Sequence, residues 1–175
     1  METIKNKLSD YEKNFFTKLQ NYIEKPLYFY GSIQRDDYFP QLSDIDIDIF
    51  SDNVNSTLNL LQNLLNLKKY EFKKSFYKMN KTNKLIPGYK HKYSDKNNKL
   101  TVEMSVYDEK YKEDILHEHR SKFNLPLYIS IGLIFLKILH YNLGVLSIYY
   151  YSKLKKFLTN ECYDNNKSEF IIVDM

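Results

Sequence analysis

Apolar positions along this chain repeat with two different periods, and each period predicts a different element. Ile4, Leu8, Tyr11, Phe15, Leu19 and Tyr22 recur at three- and four-residue steps, which places them on one face of a helix. Lys25-Pro26 ends that helix, because proline lacks the donor that a further turn needs. Residues 27–30 predict a short apolar strand that runs into Gly31-Ser32. Residues 34–42 predict a short helix or turn broken at Pro40. From Ser43 to Phe50 the period changes to two, with Asp-Ile-Asp-Ile-Asp-Ile in strict alternation, as in a strand.

A helical period returns at Leu58, Leu61 and Leu65, flanked by Leu60, Leu64 and Leu67, and Ser56 is placed to cap it. Three strands come next, at about residues 71–79, 85–93 and 100–107, joined by segments of Asn, Lys, Thr, Ser and Asp that suit turns. Residues 108–122 read as a polar helix, and 127–158 as one long helix or two consecutive ones with Gly144 as the break. Residues 170–173 read as a strand or a loose tail. The cleanest apolar run, Leu125 to Leu136, has twelve residues, short of the ~20 that span a bilayer. Lys137, His140 and Asn142 break the apolar character beyond Leu136, so a buried helix is expected and no membrane span.

Composition sets the scale. At roughly 100–200 residues per domain, 175 residues make one domain, or one plus a fragment of a second. The single cysteine, Cys162, excludes an internal disulfide framework and a Cys-based zinc site. The first ten residues are polar and lack the apolar stretch of a signal peptide, which makes an intracellular, cytoplasmic protein the expectation. The net charge of +4 conceals two opposite regions. Residues 68–99 carry eleven Lys against Glu71 and Asp95, while six Asp fall between Asp36 and Asp52. The basic region is interleaved with Tyr70, Phe72, Phe76, Tyr77, Tyr89 and Tyr93. That composition suits a phosphate backbone with stacked bases, and equally a solvated Lys-rich hairpin.

The acidic region carries the candidate chemistry. Residues two apart in a strand share a face, so Asp44, Asp46 and Asp48 line one side and Ile45, Ile47 and Ile49 the other. Aspartate is a poor strand former, and like charges this close destabilise each other unless a cation lies between them. Carboxylate oxygens are the ligands that Mg²⁺ takes while it keeps waters for phosphate oxygens to replace. Glu103 is the acid inside the strand over 100–107 and shares a face with Thr101, Ser105 and Tyr107, which makes it the candidate third ligand. Gly31-Ser32 offers close backbone approach and a hydroxyl before a possible helix, features that favour phosphate. His117 and His119 read as surface residues of the polar helix.

The stretch Leu27-Tyr-Phe-Tyr-Gly-Ser, followed by Pro40-Gln-Leu-Ser-Asp-Ile-Asp-Ile, resembles the signature of the DNA polymerase β-type nucleotidyltransferase superfamily. Within it the chain is most similar to the non-canonical poly(A) polymerases and terminal uridylyltransferases, in a truncated form. The resemblance implies an α+β polymerase β-like fold, a mixed sheet of about five strands flanked by helices, with residues 1–123 as catalytic core. Residues 124–175 would be a short helical segment like the start of the poly(A) polymerase central domain. Pro126 with the run to Leu136-Lys137, and then Gly144-Val-Leu-Ser-Ile-Tyr149, resemble that family's nucleotide-gripping helices. The resemblance thus implies two Mg²⁺ or Mn²⁺ ions on Asp44, Asp46 and Glu103. Gly31 and Ser32 would hold phosphates, Lys137 and Ser147 would touch the triphosphate, and Tyr149 would stack on the base. Ser43 before the pair favours Asp44/Asp46 over the register Asp46/Asp48. The chain departs from the family by one extra residue between Pro40 and Ser43, by a shorter Lys-to-Tyr interval, and by Glu103 where Asp is usual.

The implied activity is transfer of NMP from an NTP to an RNA 3′ end, of the adenylyl or uridylyl kind, with residues 68–99 as an RNA track. Alternatives are a minimal nucleotidyltransferase that modifies a protein, a tRNA or a small molecule, and an inactive nucleotide- or RNA-binding subunit. The apolar helix in so short a chain leaves room for a homodimer or a heterodimer.

Overall fold

The computed structural model describes residues 4–79, 82–162 and 170–172. Helix α1 (Asp10–Ile23) starts later than its periodicity suggests, because Ser9 and Glu12 close a reciprocal cap. The Glu12 backbone N–H donates to Ser9 Oγ at 3.2 Å, and the Ser9 N–H donates to the Glu12 carboxylate at 2.6 Å. Ile4 and Leu8 therefore precede the helix. Strand β1 (Tyr28–Tyr30) leads into a 3₁₀ turn over Gly31–Gln34. Strand β2 (Ile45–Ser51) and helix α2 (Val54–Leu65) are next. Asn53, not Ser56, caps α2: the Ser56 N–H donates to Asn53 Oδ1 at 3.0 Å, so the Ser lies inside the first turn.

Strands β3 (Lys73–Lys78), β4 (Leu85–Asp95) and β5 (Leu100–Asp108) fall where their alternation predicts. The polar helix α3 (Lys112–Ser121) succeeds them. The apolar stretch divides into α4 (Leu127–Lys137) and α5 (Ile148–Cys162), separated by a wide turn over Ile138–Asn142 and by Gly144 at φ +61. His140 Nδ1 donates to the Leu146 carbonyl at 2.7 Å and its ring stacks on Tyr151 at 4.6 Å, which clamps this hairpin. Strand β6 (Phe170–Ile172) resolves the strand-or-tail alternative, since it pairs with β3; Val173 lies outside the described residues.

The described sheet has six strands in the order β1-β2-β5-β4-β3-β6. β2 and β5 run parallel and every other pair is antiparallel. The alternation seen in β2 separates two cores. Ile45, Ile47 and Ile49 pack with Val102, Met104 and Val106 beneath α1 and α2, where Phe16 and Leu19 are also fully buried. Each such side chain contributes about 1.5–3 kcal/mol relative to exposure, which offsets the poor strand propensity of the intervening aspartates. On the opposite face, α3 lays Ile115 and Leu116 on Phe50, Tyr77, Ile86 and Tyr107.

The expected buried helix is only half buried. Ile129, Leu133, Leu136 and Lys137 of α4 are covered, while Leu127, Tyr128, Ile131 and Phe135 stay exposed. Among the described residues no helix is long and apolar enough to cross a membrane.

Candidate active site

Parallel pairing of β2 with β5 sets Asp46 directly opposite Glu103, on the sheet face that α1 and α2 do not cover. Asp44 lies one residue before β2 on the same side. Gly31, at the end of β1, has φ +72, and a Cβ built there would overlap Asp46 Oδ2. The glycine therefore serves two needs at once: a left-handed backbone and room for a carboxylate. Ser32, beside it, is buried. The structure thus brings Gly31, Ser32, Asp44, Asp46 and Glu103 to one corner of the sheet.

Two cations that the basic composition alone would place on an RNA track lie at this corner. Lys92 pairs with Asp44 and Lys90 with Glu103, each at 2.6 Å. Both lysines sit on β4, where Lys92 is in register with Glu103 and Lys90 with Ser105. Their two-residue spacing is the one clue in the sequence, but it carries no information about which strand they adjoin. For Asp46, burial and then the neighbouring Glu103 carboxylate push the pKa up to about 7, while Lys155 of α5 and Lys90 pull it back. Among the described residues no three Asp, Glu, His or Cys side chains already converge as a closed metal cage. The donors nevertheless suit a hard divalent cation. They are carboxylate oxygens, and the charge on Asp46 is poorly compensated.

The third aspartate of the alternating run is committed elsewhere. Asp48, two residues further along β2, is fully buried and lies 2.9 Å from His119 Nε2. His119 is a correction to the surface reading: it is buried on α3 and stacks on Tyr30 at 4.0 Å. Helix α3 turns it inward because Ile115, four residues earlier, lies on the same covered face. His117 is exposed, as expected.

The residues of α4 and α5 that the resemblance singles out are Lys137, Ser147 and Tyr149. Lys137 is buried, with its Nζ donating to the Asp37 carbonyl, to Ser43 Oγ at 3.0 Å and to Asp37 Oδ2 at 3.1 Å. Asp37 also holds Arg35 at 2.7 Å. Lys137 thus ties α4 to the loop that precedes the Asp44/Asp46 pair. Burial draws its pKa down to about 8 against the opposing pull of Asp37. Ser147 and Tyr149 are exposed at the start of α5, and Tyr149 packs edge-on against Tyr150. The residues of α5 whose electrostatics reach the acidic corner are Tyr151, coupled to Asp37 and Asp44, and Lys155, coupled to Asp46. The sequence pattern does not single out either, since their helical period marks only a face.

A mixed sheet with paired carboxylates on adjacent parallel strands, preceded by a strand-to-Gly-Ser turn, defines the polymerase β-like nucleotidyltransferase fold. The family model described as a nucleotidyltransferase domain matches residues 13–123. The chain belongs to that family and is a transferase of the nucleotidyl class, with an NTP as its substrate type. No curated protein is a significant match to it.

Proposed function

We propose that the chain moves NMP from an NTP to the 3′ hydroxyl of an RNA, with Asp44, Asp46 and Glu103 as ligands of Mg²⁺ or Mn²⁺. The observation that carries this reading is Asp46 seated against Gly31 and opposite Glu103 on adjacent strands. A pair of divalent ions held there would acidify the acceptor hydroxyl and neutralise the departing pyrophosphate. The chain's own part is to converge the carboxylates, to present the Ser32 turn to phosphate oxygens and to bring Lys155 across from Asp46. The acceptor oxygen bonds to the α-phosphorus, the bond to the β-phosphate bridge breaks, and pyrophosphate and the hydroxyl proton leave. In this reading residues 1–123 are the catalytic core and 124–175 a short helical segment like the start of the poly(A) polymerase central domain. Lys73, in register with Lys90, extends positive charge from the acidic corner toward the sheet edge, which supports an RNA path across β4 and β3.

Incubation with a labelled RNA, each NTP in turn and Mg²⁺ or Mn²⁺ tests the proposal. Ladder extension is expected, and Asp44→Ala/Asp46→Ala should lose it by about a thousandfold or more, as the removal of ~4 kcal/mol of charge stabilisation implies. Absence of extension with every NTP would remove the RNA 3′ end as the acceptor and point to a protein or a small molecule, or to an inactive subunit.

Lys92 should compete with a cation for Asp44. Lys92→Met is therefore expected to tighten Mn²⁺ binding about three- to tenfold, read by calorimetry without nucleotide. An unchanged or weaker affinity would contradict that competition.

A further inference from the structure

The α4/α5 hairpin presents an apolar surface that nothing in the described chain covers. Gly132 of α4 lies against Leu158 of α5, so these two residues mark the line along which the helices meet. At 3.6 residues per turn, Ile129, Leu133 and Leu136 fall to one side of that line on α4, and all three are buried against the rest of the protein. Tyr151, also buried, and Lys155 take the corresponding side on α5. Leu127, Tyr128, Ile131 and Phe135 fall to the other side on α4, as do Tyr150, Leu154 and Phe157 on α5. The helices run antiparallel, so the two exposed stripes lie side by side and form one outer face.

The exposure of that face is high. Leu127 is 77% exposed, Tyr128 64%, Ile131 58%, Phe135 58%, Tyr150 58% and Phe157 60%. An aromatic side chain carries ~150–250 Å², so each of these rings leaves on the order of 120 Å² in water. With the aliphatic residues, and with Leu143 and Val145 in the adjoining turn at 62% and 74%, the patch approaches ~800 Å². Monomers rarely expose contiguous apolar patches above a few hundred Å², whereas ~800 Å² per partner is what a stable dimer buries.

We propose that this outer face of the α4/α5 hairpin is a two-fold interface with a second copy of the chain, forming a four-helix layer. Helix α4 carries no charge from Leu127 to Leu136, so α5 of one copy can cross α4 of the other without opposing like charges. Lys153, exposed at the border of the stripe on α5, gives the face the polar rim that interfaces have around an apolar centre. The carboxylate corner lies on the opposite side of the hairpin and stays open in such a pair.

Light scattering after gel filtration at about 20 μM tests this without nucleotide, so its outcome is separate from that of the transfer assay. The expected mass is twice 21.1 kDa. Ile131→Glu/Leu154→Glu should halve that mass and leave the circular dichroism spectrum unchanged, because both positions are exposed in the single chain. Tyr22→Glu, on the exposed face of α1, should remain a dimer. A wild type of single mass would overturn the proposal. So would a dimer that survives Ile131→Glu/Leu154→Glu, or one that Tyr22→Glu also dissociates. A monomer that sediments with anionic vesicles would assign the face to lipid and overturn it equally.

Discussion

At pH 8, Asp46→Asn is expected to unfold several degrees above the wild type while losing nucleotidyl transfer. The reason lies in the position of this carboxylate. Burial and Glu103 raise its pKa from 3.8 to about 7. Between those values the folded chain holds a proton that the unfolded chain has released, so stability falls as pH rises from about 4 to about 7. Above pH 7 the folded wild type carries the full electrostatic penalty, about 2 kcal/mol after allowance for partial solvation. Asparagine keeps the shape and removes the charge. The gain corresponds to ~4–8 °C for a chain of this size. It should shrink toward zero at pH 4, where the wild-type carboxyl is protonated as well. Thermal scans in EDTA at pH 4, 6 and 8 would show this. Equal melting at pH 8, or a gap that widens toward pH 4, would sink the assignment.

Lys137→Met is expected to lower stability by about 3 kcal/mol with no nucleotide present, because it removes one partner from a buried ion pair. Arg35 remains on Asp37, which keeps the loss toward the lower end of that range. The pH dependence has a definite sign. The folded Lys137 has its pKa lowered from 10.5 to about 8, so between those values the unfolded chain binds the extra proton and wild-type stability rises with pH. The variant lacks that rise, and the gap between the two should widen from pH 7 to pH 10. Urea unfolding at both pH values measures it. A variant that unfolds like the wild type without NTP, and differs only when NTP is added, would return Lys137 to a role on the triphosphate alone.

These two residues show how unevenly the site is legible in the sequence. Asp46 stands out because a local pattern carries it: a strand period, a Gly-Ser turn ahead of it and an adjacent carboxylate. Lys137 stands out as a residue of interest but not in its contacts, since Asp37 lies 100 positions away along the chain. His119 looks like a surface residue for the same reason. Its helix is polar, and its partner Asp48 lies on a strand of the opposite half of the sequence. Lys90 and Lys92 are two members of a basic run, and only the β4–β5 register turns them toward the acids.

Local periodicity by itself determined where strands and helices fall and which residues share a face, because those depend on backbone geometry within a few residues. It also determined that Asp44 and Asp46 would share a strand face, while the antiparallel pairing of β1 with β2 brought Gly31 against Asp46. The tertiary structure decided that Asp46 faces Glu103, that Asp48 belongs to His119 and that Lys137 ties α4 to the loop before β2. It also left one face of the α4/α5 hairpin exposed. Cross-strand register and helix docking are set by packing between segments far apart in the chain, and a slip of one residue would reverse every face.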